Sequence, residues 1–171
     1  MFELILINGC GGAGKDTTGR LLLPKLANAA LIDIKALSIT NPWKYSDFQI
    51  GLKNAAVLIN SYAEAGYSQI ILTGGVNSQD RLDYLINLLP KSIRIHYFWL
   101  DVSKATRDTR RIARSRDEAD KAQFLDSVDL VFTDPGDLNI PNAQFERISS
   151  ERMTQDEVVT CPSSARQVSS R

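Results

Sequence analysis

The stretch from Gly9 to Lys15, Gly-Cys-Gly-Gly-Ala-Gly-Lys, constrains this chain more than any other. It follows a short apolar run over residues 2–7 and precedes a helix start, so the local order is strand, glycine-rich loop, helix. Gly9 to Gly14-Lys15 has the G-x-x-x-x-G-K spacing of a phosphate-binding loop. Gly9, Gly11, Gly12 and Gly14 leave room for backbone N–H groups to curl around phosphate oxygens, and Ala13 adds only a methyl group. Lys15 supplies a mobile positive charge. The helix beginning near Gly14 points its unpaired N–H groups and positive dipole end at the same place.

Where that motif has Ser or Thr for magnesium, this chain has Asp16, followed by Thr17 and Thr18. A first-turn carboxylate complements the helix dipole. It also offers Mg2+ an oxygen ligand, directly or through a bound water, with the Thr17 hydroxyl beside it. Asp16 and Thr17 are therefore the candidate metal residues, and both readings stay open.

The segment GCGGAGKDTT resembles the P-loop of small kinases of the nucleoside-monophosphate-kinase-like group. The Gly-Lys-Asp-Thr form is similar to that of phage deoxynucleoside monophosphate kinases, and animal-type phosphomevalonate kinases also place Asp after the lysine. This resemblance tolerates Asp16 and does not name an acceptor.

At 171 residues, with 43% hydrophobic and 23% charged residues, the chain has the size and composition of one globular domain. We expect that domain over residues 1–160 and a polar, serine-rich disordered tail over 161–171. No apolar run reaches the ~20 residues needed to span a bilayer. The first strand starts at the N-terminus and is not read as a signal peptide. Cys10 and Cys161 are the two cysteines, with a single His beside them and no metal-ligand spacing; they read as free thiols in the reducing cytoplasm. A net charge of zero argues for neither a nucleic-acid nor a membrane partner and leaves the oligomeric state open.

Along the chain, Pro24 interrupts the first helix, and residues 29–34 read as a strand with Asp33 near its C-terminal end and Lys35 just beyond. Ligands sit at that end of parallel strands. A loop holding Trp43, Lys44 and Tyr45 leads to a helix with a capping-box signature at Ser46 and Gln49. Its apolar positions Phe48, Leu52, Ala56, Ile59 and Ala63 form a core-facing stripe that stops at Gly66. Residues 69–73 are a buried strand ending at Gly74-Gly75, which serve either a tight turn or a close ligand approach. A helix over 78–89 and a strand over 93–100 follow, with His96 read as a packed or surface residue rather than a base.

Ser103 caps the next helix, in which residues 107–116 hold five arginines against one aspartate. Arg110 and Arg114 share one face, and Arg107, Arg111 and Arg114 another. Guanidinium groups fork onto phosphate oxygens, so the segment is read as functional. By the resemblance it is the arginine-rich lid of a small P-loop kinase, very short at 115–120, with Arg110 and Arg114 as the best catalytic pair and Arg107 and Arg111 assisting substrate binding. A helix over 121–126, a strand over 128–133 and a turn over 134–138 come next. The resemblance makes 128–133 the last core strand and the following turn an adenine contact. A short edge strand over 145–148 and a terminal helix over 150–159 complete the reading.

Strands alternating with helices predict a right-handed α/β parallel sheet covered on both faces. The resemblance adds the three-layer P-loop sandwich with five strands in the order 2-3-1-4-5. It implies transfer of the γ-phosphoryl group of Mg-ATP to a small acceptor, first a nucleoside or deoxynucleoside monophosphate, alternatively an alcohol. ATP and Mg2+ are the expected cofactors. Lys15, Asp33, Arg110 and Arg114 are the expected catalytic residues, with Lys35, Gly74, Gly75, Arg107 and Arg111 at the substrate. Asp33 would deprotonate an alcohol, or position a nucleotide acceptor or a magnesium water. A nucleotide-binding module without turnover remains a further reading. A GTPase or motor-type ATPase is disfavoured, because no Asn-Lys-x-Asp motif is present and the strand at 69–73 lacks a terminal Asp.

Overall fold

The computed structural model describes residues 2–42, 47–114, 134–136, 138–140, 143–151 and 157. Five parallel strands form one sheet: β1 (Glu3–Gly9), β2 (Ala29–Asp33), β3 (Gln69–Thr73), β4 (Arg94–Asp101) and β5 (Ala143–Ser149), in the order β2-β3-β1-β4-β5. The helices are α1 (Lys15–Leu22), α2 (Asp47–Glu64), α3 (Gln79–Asn87) and α4 (Lys104–Arg114). The expected sheet and strand order are present.

The register explains the uninterrupted apolar strands. Leu4 and Leu6 of β1 face one side with Ile70, Leu72, Tyr97 and Trp99, under Leu52, Ala55 and Ile59 of α2 and Leu82 and Leu85 of α3. Ile5 and Ile7 face the other side with Ile71, Phe98 and Leu100, under Leu22 of α1. Neighbouring residues of a central strand point into opposite layers, so each must be apolar. His96 is buried, with Nε2 3.8 Å from Glu3 Oε1, and both residues lie in the N-terminal halves of their strands, remote from the loops described below.

The fifth strand corrects the sequence reading. The place beside β4 belongs to Ala143–Ser149, where only a short edge strand over 145–148 was expected, and not to residues 128–133, which lie outside the described residues. The turn at Asp134 is present, with Asp134 Oδ1 accepting from the Gly136 N–H, and the Arg147 guanidinium forks onto the Asp134 carboxylate at 2.7 Å for each bond. The chain leaving the last strand therefore runs through Ser150 and Glu151. Neither is helical, whereas Glu157 is. The loop at 43–46, the lid at 115–120, the helix at 121–126 and the tail at 161–171 also lie outside the described residues. Among the described residues, no helix is long and apolar enough to cross a membrane.

Candidate functional site

The C-terminal end of β1 runs into the glycine loop, which closes on itself through Ala13 N–H donating to the Cys10 carbonyl at 3.1 Å. Gly14, with φ of 99°, precedes α1 and gives it no side-chain cap, so the first amide groups of the helix stay unclaimed by any capping side chain. Lys15 is buried and donates from Nζ to the Cys10 carbonyl at 3.1 Å. Burial, and then the neighbouring Lys35 charge, lower the Lys15 ammonium to about 8. A buried cation at a helix N-terminus is an environment suited to an anion.

The loop is braced from α4. Arg111 donates from Nε and Nη2 to the Gly11 carbonyl, the first at 2.9 Å, and from Nη1 to Asp108 at 3.1 Å. Arg107 is buried and donates from Nε to the Val102 carbonyl at 3.2 Å. A β-carbon on Gly12, whose φ is 88°, would stand 2.9 Å from the Arg107 carbonyl oxygen, so helix backbone and loop backbone meet there without an intervening side chain. Periodicity divided these arginines into two faces, and the structure brings Arg107 and Arg111 to the loop. Arg110 is partly buried, and its charge helps lower the carboxyl of Glu151. The backbone of α4 is described through Arg114, whose side chain is outside the description.

Glu151 anchors the start of α4, which sequence reasoning placed in a terminal helix. Its carboxylate accepts from Ser103 N–H and Ser103 Oγ, both at 2.8 Å, and from Thr106 Oγ1. The Thr106 bond first, and the Ser103 bonds after it, pull the Glu151 carboxyl down to about 2. Ser103 Oγ in turn accepts from Thr106 N–H at 3.2 Å, the cap expected from the sequence.

On the other flank, Asp33 ends β2 and caps a single 3-10 turn, Ile34–Leu37, by accepting from Lys35 N–H at 3.1 Å. The same Lys35 reaches from Nζ to Asp16 Oδ2 at 2.5 Å. Asp16 Oδ1 is sealed from solvent and has no hydrogen-bond partner among the described residues. Gly74 lies against the Lys15 stem, where a β-carbon would be 3.6 Å from Cε. Gly75, with φ of 80°, accommodates Ile34, whose Cδ1 would be 2.3 Å from such a carbon. Both glycines thus make a turn against which the Ile34 and Lys15 side chains pack. Val76 fixes that turn: its N–H donates to Asn8 Oδ1 at 3.2 Å, and its carbonyl accepts from Tyr97.

Arg81 was missed in the sequence. It is buried in the first turn of α3, donates from Nη1 to Asn77 Oδ1 at 2.7 Å, and stacks 4.2 Å above the Phe48 ring. Its signal was positional: Arg81 lies four residues before Leu85, on the stripe that otherwise feeds the core.

The orphaned Asp16 oxygen, beside the loop and the half-buried Thr17, fits a hard cation, for which carboxylate, hydroxyl and phosphate oxygens are suitable ligands. No cluster of three or more His, Cys, Asp or Glu exists among the described residues. An ion at Asp16 would complete its shell from phosphate oxygens and water, as magnesium usually does in nucleotide sites.

No protein-family model matches the sequence, and no curated protein matches it. Solved structures do match in shape. A sugar kinase from a Janibacter species superposes with a TM-score of 0.73 at 16% identity, covering 98% of this chain and 96% of that one. A gluconokinase from Sinorhizobium meliloti gives 0.67 at 14% identity, with 99% and 98% covered. A tunicamycin resistance protein from Deinococcus radiodurans gives 0.58 at 14% identity, with 98% and 96% covered. At these identities the likeness is one of fold, and the chain has the three-layer P-loop fold: an open parallel sheet of order β2-β3-β1-β4-β5 with its glycine loop between β1 and α1.

Proposed function

We propose that this protein is an enzyme that transfers the γ-phosphoryl group of Mg-ATP to a small-molecule acceptor. The observation that carries this reading is the meeting, at one sheet edge, of a glycine loop with a buried lysine, a carboxylate with a sealed unpartnered oxygen, and Arg111 braced against the Gly11 carbonyl. Phosphoryl transfer asks a protein mainly for positioning and charge stabilisation, and these groups supply both. The loop amides and Lys15 would hold the β- and γ-phosphates. Asp16, with Thr17 beside it, would hold Mg2+, which would supply positive charge to the phosphate groups. Arg111 braces the loop through the Gly11 carbonyl, the Arg107 backbone packs against Gly12, and Arg110 and Arg114 on the same helix are the residues we assign to the transferred group.

On the acceptor flank, Gly74 packs against the Lys15 stem and the Lys35 charge acts on Lys15, with Asp33 accepting from the Lys35 N–H. An alcohol is the acceptor class we favour. Its oxygen forms the new bond to phosphorus while the bond to the β-bridging oxygen breaks and ADP leaves. Asp33 takes the hydroxyl proton through the carboxylate oxygen not used to cap Lys35. The neighbours whose titles name a sugar kinase and a gluconokinase support this class. A nucleoside monophosphate is the second reading, favoured by the buried Arg81 beside Asn77, a pairing suited to a phosphorylated acceptor.

Radiolabelled γ-phosphate of Mg-ATP offered to a pool of sugars and other small alcohols, and separately to pooled nucleoside and deoxynucleoside monophosphates, tests the proposal. Label in the alcohol pool, lost in Lys15→Ala, is the expected result. Label only in the nucleotide pool replaces the acceptor and keeps the kinase. Mg-ATP bound with no label in either pool overturns the proposal in favour of a nucleotide-binding module. Asp33→Asn then separates the acceptors, costing ~10²- to 10⁴-fold for an alcohol and little for a phosphate acceptor.

A further inference from the structure

Lys35 stands apart from the other cations around the loop. Its backbone is pinned, because Asp33 accepts from its N–H, while its ammonium extends across the edge of the sheet to Asp16 on α1. The ion pair is one-sided: Asp16 Oδ2 has the ammonium, and Asp16 Oδ1 is sealed from solvent with no partner among the described residues. A sealed carboxylate oxygen without a donor is costly, and its natural remedy is a cation that touches it. The pair is also partly wet, with side-chain exposures of 64% for Lys35 and 31% for Asp16, so the ammonium is free to leave toward water. Lys35 lies near a second ammonium as well, since its charge contributes to the lowered value of Lys15.

We propose that Lys35 is a tethered counter-ion that occupies the Asp16 carboxylate before the metal does, so that the cation accompanying the nucleotide must displace it. The inference rests on the reading of Asp16 as a metal residue given above. A lysine ammonium is a compact point charge on a flexible stem, and it competes for one carboxylate oxygen without filling a coordination shell. Held to Asp16, it keeps the loop from presenting a bare carboxylate to incoming phosphates. Displaced, it carries its charge to the flank where Asp33 and the Gly74-Gly75 turn lie. Lys35 is thus a positioning residue that sets metal affinity.

The test uses Mn2+ as the probe, with free ion counted by electron paramagnetic resonance on the full chain at saturating ADP. Lys35→Met removes the competitor and is expected to tighten Mn2+ binding about two- to fivefold, the range that a partly exposed ion pair supports. Lys35→Arg, which retains the charge, is expected to stay near the wild-type value. Unchanged or weaker Mn2+ binding in Lys35→Met, together with loss of binding in Asp16→Asn, overturns the counter-ion role while leaving Asp16 as the metal residue. Unchanged binding in Asp16→Asn overturns both. Thermal melts of each variant establish that the affinities compare folded proteins.

Discussion

Gly12 and Gly75 belong to the two loops that meet at Lys15, and both have positive φ, yet different atoms stand where their β-carbons would go. At Gly12 the obstacle is the backbone of Arg107, its carbonyl oxygen 2.9 Å away; at Gly75 it is the Ile34 side chain, its Cδ1 2.3 Å and its Cγ2 3.0 Å away. Backbone cannot step aside without moving α4, whereas an isoleucine methyl can turn. The nucleotide flank is thus a joint between two main chains, reinforced by Arg111 on the Gly11 carbonyl. The acceptor flank is assembled from side chains on short turns, with Asp33, Ile34 and Lys35 in succession. On the proposed function, the first arrangement would hold one shape for the nucleotide. The second can be re-specified by changing a few side chains without disturbing the sheet.

The largest effect that would break this comparison belongs to Lys15, which both loops touch. Lys15→Ala should lower kcat/KM by ~10²- to 10³-fold, as expected for removing one preorganised charge from a transfer site. A smaller loss in steady-state kinetics would remove the lysine from the centre of the account. The glycines come next. Gly12→Ala should destabilise by ~2–4 kcal/mol, from left-handed strain plus the clash with Arg107, and Gly75→Ala by ~1–2 kcal/mol, because Ile34 yields. Urea unfolding of both variants gives the order, and a reversed order would dissolve the contrast between the flanks.

Arg111 sharpens the same point on the nucleotide side. Truncating it to Ala leaves the Gly11 carbonyl without two donors and should weaken ATP binding about tenfold, corresponding to ~1.5 kcal/mol for bonds to a charged group, with little change in acceptor KM. Calorimetric titration of ATP reads this directly.

The smallest expected effect is at Glu151, which holds the start of α4 from outside. Its carboxyl is lowered from 4.5 to about 2 by the Thr106 and Ser103 bonds. A depressed carboxylate contributes stability in full above its unfolded value and loses it as pH falls through the folded one. The wild type should therefore lose this contribution between pH 4.5 and about 2. Glu151→Gln should lack that segment of the pH dependence in thermal melts, and parallel curves for the two proteins would show that Glu151 lends no stability through its charge.

The glycine loop was legible in the sequence because its shape is local: glycine spacing ahead of a helix start describes a backbone turn. The strands were legible for a similar reason, since a central parallel strand is apolar on both faces. The fifth strand was harder. Among the described residues it pairs with β4 alone, and it carries Gln144, Glu146 and Arg147 among its apolar residues, a pattern that an edge tolerates and a search for continuous apolar runs passes over. Glu151 was read as part of a helix, and its bonds to Ser103 and Thr106 span more than forty residues of sequence. Helical periodicity sorted the arginines of α4 into faces but could not say which face would meet the glycine loop. The Lys35 link to Asp16 was equally hidden, because nothing in the turn after β2 announces how far an ammonium will reach.

The central claim is that backbone amides and Lys15 read a polyphosphate, and titration of ATP, ADP and AMP into the protein with Mg2+ tests it most directly. ATP and ADP should bind at least about tenfold more tightly than AMP, roughly 1.4 kcal/mol or more of discrimination, and Lys15→Ala should erase most of the difference. Equal affinity for all three, or discrimination that survives the loss of Lys15, would contradict the account.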